Sequence, residues 1–185
     1  MKKLVSIIVV FALALLSANS AMAVRLYTDD DVAAIVKNAP TEEKFPQAAG
    51  IVLLSQRITK VNPDHSAVTD EHLVVKILQD RGKDQYGHVK RRYNKDSDSM
   101  VVIKAVTYLK DGSVLPVEAT AINDLTPGDR ANAAIYSNIM QKVMSFPGMA
   151  PGVCMELKLR TYSKAPDKPE EYFVWGSDLF QGSDP

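Results

Sequence analysis

Two apolar runs, residues 139–146 and 153–161, are separated by a turn that carries Pro-Gly twice, at Pro147-Gly148 and Pro151-Gly152. The second run alternates: Val153, Met155, Leu157 and Leu159 fall on one side, and Cys154, Glu156, Lys158 and Arg160 on the other. Alternation with period two is the signature of a strand with one buried face. Proline removes a backbone donor and glycine admits φ values closed to other residues, so neither Pro-Gly pair lets a helix run through. The chain is therefore constrained to an antiparallel sheet with one apolar face and one face that is wet or only partly covered.

The remaining runs agree with a mostly β fold. Residues 51–61 are rich in branched side chains, Asn62-Pro63-Asp64-His65-Ser66 has turn chemistry, and residues 67–78 return, which predicts a hairpin. Residues 79–87 read as a polar, glycine-punctuated excursion. Residues 100–109 form the next strand, Lys110-Asp111-Gly112-Ser113 turns it, and residues 114–117 return; Asp-Gly between apolar runs is a strong hairpin signal. Tyr172 to Trp175 reads as a last, aromatic strand. Within residues 135–144, Ile135, Tyr136, Ile139, Met140, Val143 and Met144 also recur with helix periodicity.

The N-terminus sets the compartment. Lys2 and Lys3 precede an apolar stretch over residues 4–16, and Ala21-Met22-Ala23 fits the small-x-small cleavage pattern of an export signal. The stretch is too short for an ordinary membrane span. The expectation is a signal peptide over 1–23, a mature chain from Val24, and a periplasmic or secreted protein without a membrane anchor after cleavage. Residues 24–40 read as a helix: Thr28 or Asp29 can cap it, Asp29, Asp30 and Asp31 suit its positive end, and Pro40 stops it. Residues 41–47 read as a linker, so that 24–49 form helix and linker and 50–185 the sandwich domain. Twenty-two basic and 22 acidic residues give a formal charge of +0, which offers no electrostatic case for nucleic acid. The single cysteine excludes an internal disulfide, so a packed core must hold the domain.

Several motifs occur in an order that resembles a known family. Val61-Asn62-Pro63-Asp64, then Lys76-Ile77-Leu78, Gly82-Lys83-Asp84 and Tyr86-Gly87, then Tyr93-Asn94-Lys95-Asp96 with Asp98, come first. Asp111-Gly112, Val117, Ala121-Ile122-Asn123-Asp124, Tyr136-Ser137, Phe146-Pro147-Gly148 and Pro151-Gly152 follow. This series resembles the bacterial domain of unknown function that precedes transglutaminase-like, papain-like cores in exported proteins. The resemblance implies an antiparallel β-sandwich, which the short N-terminal helix read above precedes, and a strand over residues 139–146 despite their helical periodicity. It implies a partner, either another protein or a downstream transglutaminase-like domain. Family members generally continue past the Trp-bearing strand, so the resemblance also implies a module cut short at its C-terminal end. An unpaired edge would then favour self-association through Tyr172 to Phe180.

Candidate chemistry is sparse. A cysteine hydrolase or acyl transferase needs a thiolate, a His to take its proton and a group to orient the His. Cys154, His65, His72 and His88 supply the inventory, but Cys154 sits inside an alternating strand, His65 in a turn, His72 mid-strand and His88 in a loop. Cys154 thus reads as a small packed hydrophobe and the histidines as satisfied or solvated. Asp96 and Asp98 lack the glycine and glutamate of a calcium loop and read as turn residues. Lys90-Arg91-Arg92-Tyr93 is too short for a nucleic-acid footprint and reads as a solvated strand. Tyr172, Phe173 and Trp175 are the candidate binding residues, because their rings can stack on a ligand. The sequence thus points to a non-catalytic exported module without cofactor or metal, with a Cys154-dependent enzyme as the alternative.

Overall fold

In the computed structural model, residues 26–127 and 138–167 are described. Helix α1 (Asp29–Lys37) opens this part of the chain. Thr28 and Asp31 close its first turn reciprocally: Asp31 N donates to Thr28 Oγ1 at 3.2 Å, and Thr28 N donates to Asp31 Oδ2 at 2.9 Å. This satisfies backbone donors that a helix start leaves open. The helix is shorter than the 24–40 expected. A single 3-10 turn (Glu42–Lys44) occupies the linker.

Strands β1 (Gly50–Val61) and β2 (Ala67–Ile77) pair antiparallel along their lengths, joined by the expected turn. In that turn Asp64 Oδ1 accepts from Ser66 N at 3.0 Å, and His65 adopts φ 66°. The excursion at 79–87 contains a short helix, α2 (Arg81–Tyr86). Gly82 permits it: a Cβ there would lie 2.3 Å from Ala49 O. Strands β3 (His88–Asn94), β4 (Asp98–Tyr108), β5 (Val114–Pro116), β6 (Ile122–Leu125), β7 (Ile139–Ser145) and β8 (Cys154–Ser163) follow among the described residues. His88, expected in a loop, is the first residue of β3.

The strands form two antiparallel sheets, a larger one ordered β1-β2-β8-β4-β5 and a smaller one ordered β3-β7-β6. The protein is a mostly β, sandwich-like fold, as the alternation of residues 153–161 implied. Between the sheets lie Val75 and Ile77 of β2, Val89 of β3, Ala105 of β4, Met144 of β7, and Met155, Leu157 and Leu159 of β8, all buried.

β7 is a strand, as the family resemblance implied, and its apparent helicity has a simple cause. A spacing of four is about one helical turn and also two full side-chain periods of a strand, so Met140 with Met144, and Ile139 with Val143, satisfy both periods. The burial of Lys142 and Met144 alternates with period two, and pairing with β3 and β6 decides the matter. The following turn uses the second Pro-Gly pair. Val153 N donates to Ala150 O at 3.2 Å, and Gly152 takes φ 88°, which is the type II arrangement with proline first and glycine second.

The outer face of the larger sheet is covered in part. Val32 and Val36 of α1 pack on Leu54, Val74 and Tyr108. Lys76 Nζ donates to Ala39 O at 3.1 Å just past the helix.

Candidate functional site

Beneath and beside α1 the outer face of the larger sheet carries a closed polar network. β8 stands between β2 and β4, and its register sets Glu156 opposite Val74 and Val106, and Lys158 opposite His72 and Lys104. Four side chains from three strands therefore converge on the Glu156 carboxylate. His72 Nε2 lies 2.9 Å from Oε1. Tyr108 donates its hydroxyl proton to Oε2 at 2.5 Å. Lys104 Nζ is 3.0 Å from Oε2, and Lys158 Nζ is 3.4 Å from Oε1. An ionised carboxylate has about four acceptor positions, so these partners occupy it fully.

The electrostatics follow. Glu156 is 0% exposed. Burial pushes its carboxyl upward, but bonds from Tyr108, Lys104 and His72, with the Lys104 charge, hold it below the usual carboxylate range. Burial lowers the His72 pKa, although its bond to Glu156 pulls the other way. The imidazole is thus neutral at neutral pH, with Nε2–H as donor. Burial, then the bond to Glu156, pushes Tyr108 up to about 12. The network is a satisfied buried cluster that ties three strands together. Its carboxylate has no acceptor position left for a ligand.

Cys154 does not join it. The thiol is 2% exposed, and burial pushes its pKa up to about 11 despite the charge of Lys76. Cys154 is paired with Lys76 on β2, four residues along the strand from His72, a separation of about 13 Å. His65 stands in the β1–β2 turn, and His88 Nδ1 lies 2.9 Å from Ser145 Oγ. No histidine is placed to take a proton from the thiol.

The outer side of β8, expected to be wet or only partly covered, is partly covered. Cys154 and Glu156 are buried, Lys158 and Arg160 are partly open, and Tyr162 is exposed. Arg160 grips Asp70 through two bonds, Nε–Oδ1 at 2.6 Å and Nη2–Oδ2 at 3.0 Å. A second charged group lies between the sheets. Arg91 of β3 forks onto Glu71 of β2, with Nε 2.8 Å from Oε1 and Nη2 also on Oε1. On the smaller sheet Lys142 Nζ meets Asp124 Oδ2 at 2.7 Å and sits 5.7 Å from the centre of the Tyr93 ring.

Asp96 and Asp98 act in the turn between β3 and β4: Asn94 N donates to Asp98 Oδ2 at 3.1 Å, and Asp96 N donates to Asn94 Oδ1 at 3.0 Å. Among the described residues no group of three or more His, Cys, Asp or Glu could hold a metal ion. No helix among them is long and apolar enough to cross a membrane. Tyr172, Phe173 and Trp175, the edge through Phe180, and the export signal all lie outside the described residues. The Glu156 network was not anticipated. The signals for it were a glutamate and a histidine placed on strands rather than in turns.

A family model described as a domain of unknown function with solved-structure structure (DUF3857) matches residues 63–185, the greater part of the chain. The chain belongs to the DUF3857 family. The DUF3857 segment opens at Pro63, inside the β1–β2 turn, so β1 and α1 precede it although β1 pairs with β2 along its whole length. The fold is similar to that of a protein from Parabacteroides distasonis ATCC 8503 described as a "putative protease", with a TM-score of 0.62 and 18% identity. The match covers 65% of this chain and 24% of that one, so the chain spans about a quarter of its length. At that identity the likeness shows a shared fold and no more. Among curated proteins none matches.

Proposed function

We propose that the chain is a non-catalytic, exported binding or accessory module that serves a protein partner, of the kind that precedes transglutaminase-like cores. The state of Cys154 carries this reading. A thiol pushed up to about 11 from 9.0 holds about a hundredfold less thiolate at neutral pH than an open one. The thiol is also enclosed, and the nearest histidine on its own sheet face is committed to Glu156. A papain-like or transglutaminase-like centre requires the reverse: an exposed, activated thiolate beside an oriented base. The protease name of the Parabacteroides protein belongs to a chain of which this fold matches about a quarter, and the accessory reading assigns that activity to parts other than this module.

Export is supported by Lys2, Lys3, the apolar stretch after them and Ala21-Met22-Ala23. Intact mass of protein recovered from the cell envelope should correspond to a chain beginning at Val24; an intact Met1 there would refute export with cleavage.

The catalytic question is settled with the purified chain, a casein substrate and a fluorescent amine acceptor. Neither peptide cleavage nor amine incorporation should exceed the level seen with Cys154→Ser. Iodoacetamide should label Cys154 only after denaturant is added. Turnover that Cys154→Ser abolishes would overturn the reading in favour of the cysteine enzyme.

A further inference from the structure

Helix α1 lies across the Glu156 network and is held there by a small contact. Val74 on β2 and Tyr108 on β4 belong to its seat, and β8 runs between those two strands. Val74 is the cross-strand neighbour of Glu156, and the Tyr108 hydroxyl donates to the Glu156 carboxylate at 2.5 Å. The helix therefore crosses β8 at the level of Glu156, which is 0% exposed. Of its nine residues, Val32 alone is buried. A helix this short is marginal in water by itself, so α1 is either docked or coil. Just past it, Lys76 Nζ donates to Ala39 O at 3.1 Å. The chain is anchored again where Pro46 O accepts from Gln79 Nε2 at 2.6 Å and Gln47 O accepts from Arg81. The stretch 40–45 between these anchors holds Pro40 and the 3-10 turn, and it is where a lifting helix pivots.

We propose that α1 is an acid-released strap: a proton on His72 lifts it off the larger sheet while the sandwich stays folded. Neutral His72 donates from Nε2 to Glu156 Oε1 at 2.9 Å. A proton adds a second N–H donor and a positive charge to a site that already holds the Lys104 and Lys158 ammonium groups, 3.0 and 3.4 Å from the same carboxylate. The neighbours of His72 on this face are Glu156 and Lys158 of β8, Lys104 and the Tyr108 phenol of β4, and the neutral Gln56 of β1. Asp70, two residues along β2, is gripped by Arg160. From α1, Val32 and Val36 pack on the sheet, Asp29, Asp30 and Lys37 are exposed, and Asp31 is bonded to Thr28. A further buried charge is far less costly with water on it. Water enters most easily past the element with the smallest contact, which is α1, because β2, β4 and β8 are each paired on both sides. The sign follows: burial lowers the His72 pKa from 6.5 in the docked state, so the lifted state takes the proton more readily. Docking is complete above about pH 6.5 and is lost as the pH falls. Lifting turns Leu54, Val74 and Tyr108 toward solvent, an apolar seat that α1 covers at neutral pH. The strap does not rest on the binding-module reading above.

The test is hydrogen exchange in the full chain at pH 7 and pH 5, with each rate corrected for the intrinsic effect of pH. The amides of residues 33–38, bonded within or at the end of α1, should lose protection at least about fivefold at pH 5; one proton supplies no more than about tenfold per pH unit. The amides of Met155, Leu157 and Leu159 should keep theirs. The His72 ring, followed by NMR, should take up its proton over the same pH range as the loss. His72→Gln, which cannot take up that proton, should keep α1 protected at pH 5. The proposal is overturned by α1 protection that is unchanged at pH 5, or by a loss that β8 shares. A loss at a pH where the His72 ring is still neutral, or one that persists in His72→Gln, would also overturn it. The first three outcomes are read on the unsubstituted chain, so they decide the matter even if the variant fails to fold. None of them touches the non-catalytic reading, which falls only to Cys154-dependent turnover.

Discussion

The two faces of β8 are buried by different means. Inward, Met155, Leu157 and Leu159 join an apolar core shared by both sheets. Outward, one residue away in sequence, Glu156 is equally buried but is surrounded by His72, Tyr108, Lys104 and Lys158. The inner face is stabilised by removing carbon from water, a non-directional effect that tolerates small shifts. The outer face depends on one acceptor shared by four donors, so it fails as a unit.

Removing the shared acceptor should therefore have the largest effect. Glu156→Ala leaves two ammonium groups, a phenol and an imidazole facing a hole. Its expected cost is about 3–5 kcal/mol in urea unfolding, the range for breaking a buried ionic group from one side. A loss below about 1 kcal/mol would mean that water replaces the carboxylate and that the network is not closed. Leu157→Ala probes the opposite face of the same strand. It should cost about 2–5 kcal/mol through lost burial and the cavity left behind, with no change in pH dependence. Tyr108→Phe removes one donor to the carboxylate and keeps the ring against α1. It should cost about 1.5–3 kcal/mol, as expected for a hydrogen bond to a charged group.

How much of this contrast was legible in the sequence depends on the range of the interaction. The inner face of β8 could be read from alternation alone, since Val153, Met155, Leu157 and Leu159 recur at period two. Residues 139–146 needed the family resemblance, because a spacing of four serves helix and strand alike. The turn residues Asp111-Gly112 and Pro151-Gly152 announced themselves through backbone chemistry that only a few residue types provide. The Glu156 network did not. His72 and Glu156 lie 84 positions apart, and no local pattern says which strand becomes the neighbour of which. The burial of Lys142 on β7 was hidden for the same reason, because its partner Asp124 comes from a different strand.

Acidification separates the two faces without any substitution. The His72 pKa is lowered from 6.5 in the fold, so below about pH 6.5 the unfolded chain takes up the proton more readily. Stability is complete above that pH and declines as the pH falls through it. The Glu156 pKa is lowered from 4.5, so its contribution is present above that value and is lost as the pH drops toward the folded value. Both groups bind more protons when unfolded, and both slopes have the same sign: stability rises with pH. Urea midpoints across this range should fall in two stages, the first missing in His72→Gln. A first stage that persists in His72→Gln would show that His72 is not its source.

The smallest effect should come from the most visible ion pair. Arg160 and Asp70 form a two-pronged bridge on the same outer face, two residues along β8 from Lys158. Its geometry is as good as that of the buried network, yet the side chains are 40% and 32% exposed. Water there already solvates each charge well, so pairing gains little, and salt screens what remains. Arg160→Ala should lower the urea midpoint far less than Glu156→Ala, and the difference from the unsubstituted chain should shrink further in high salt. Glu156→Ala should keep most of its cost under the same salt, because its partners approach it where solvent ions do not reach. If the two substitutions responded alike to salt, burial would not be what distinguishes these carboxylates. The outer face of β8 would then be a wet surface along its whole length, the other of the two states that the sequence alternation allowed.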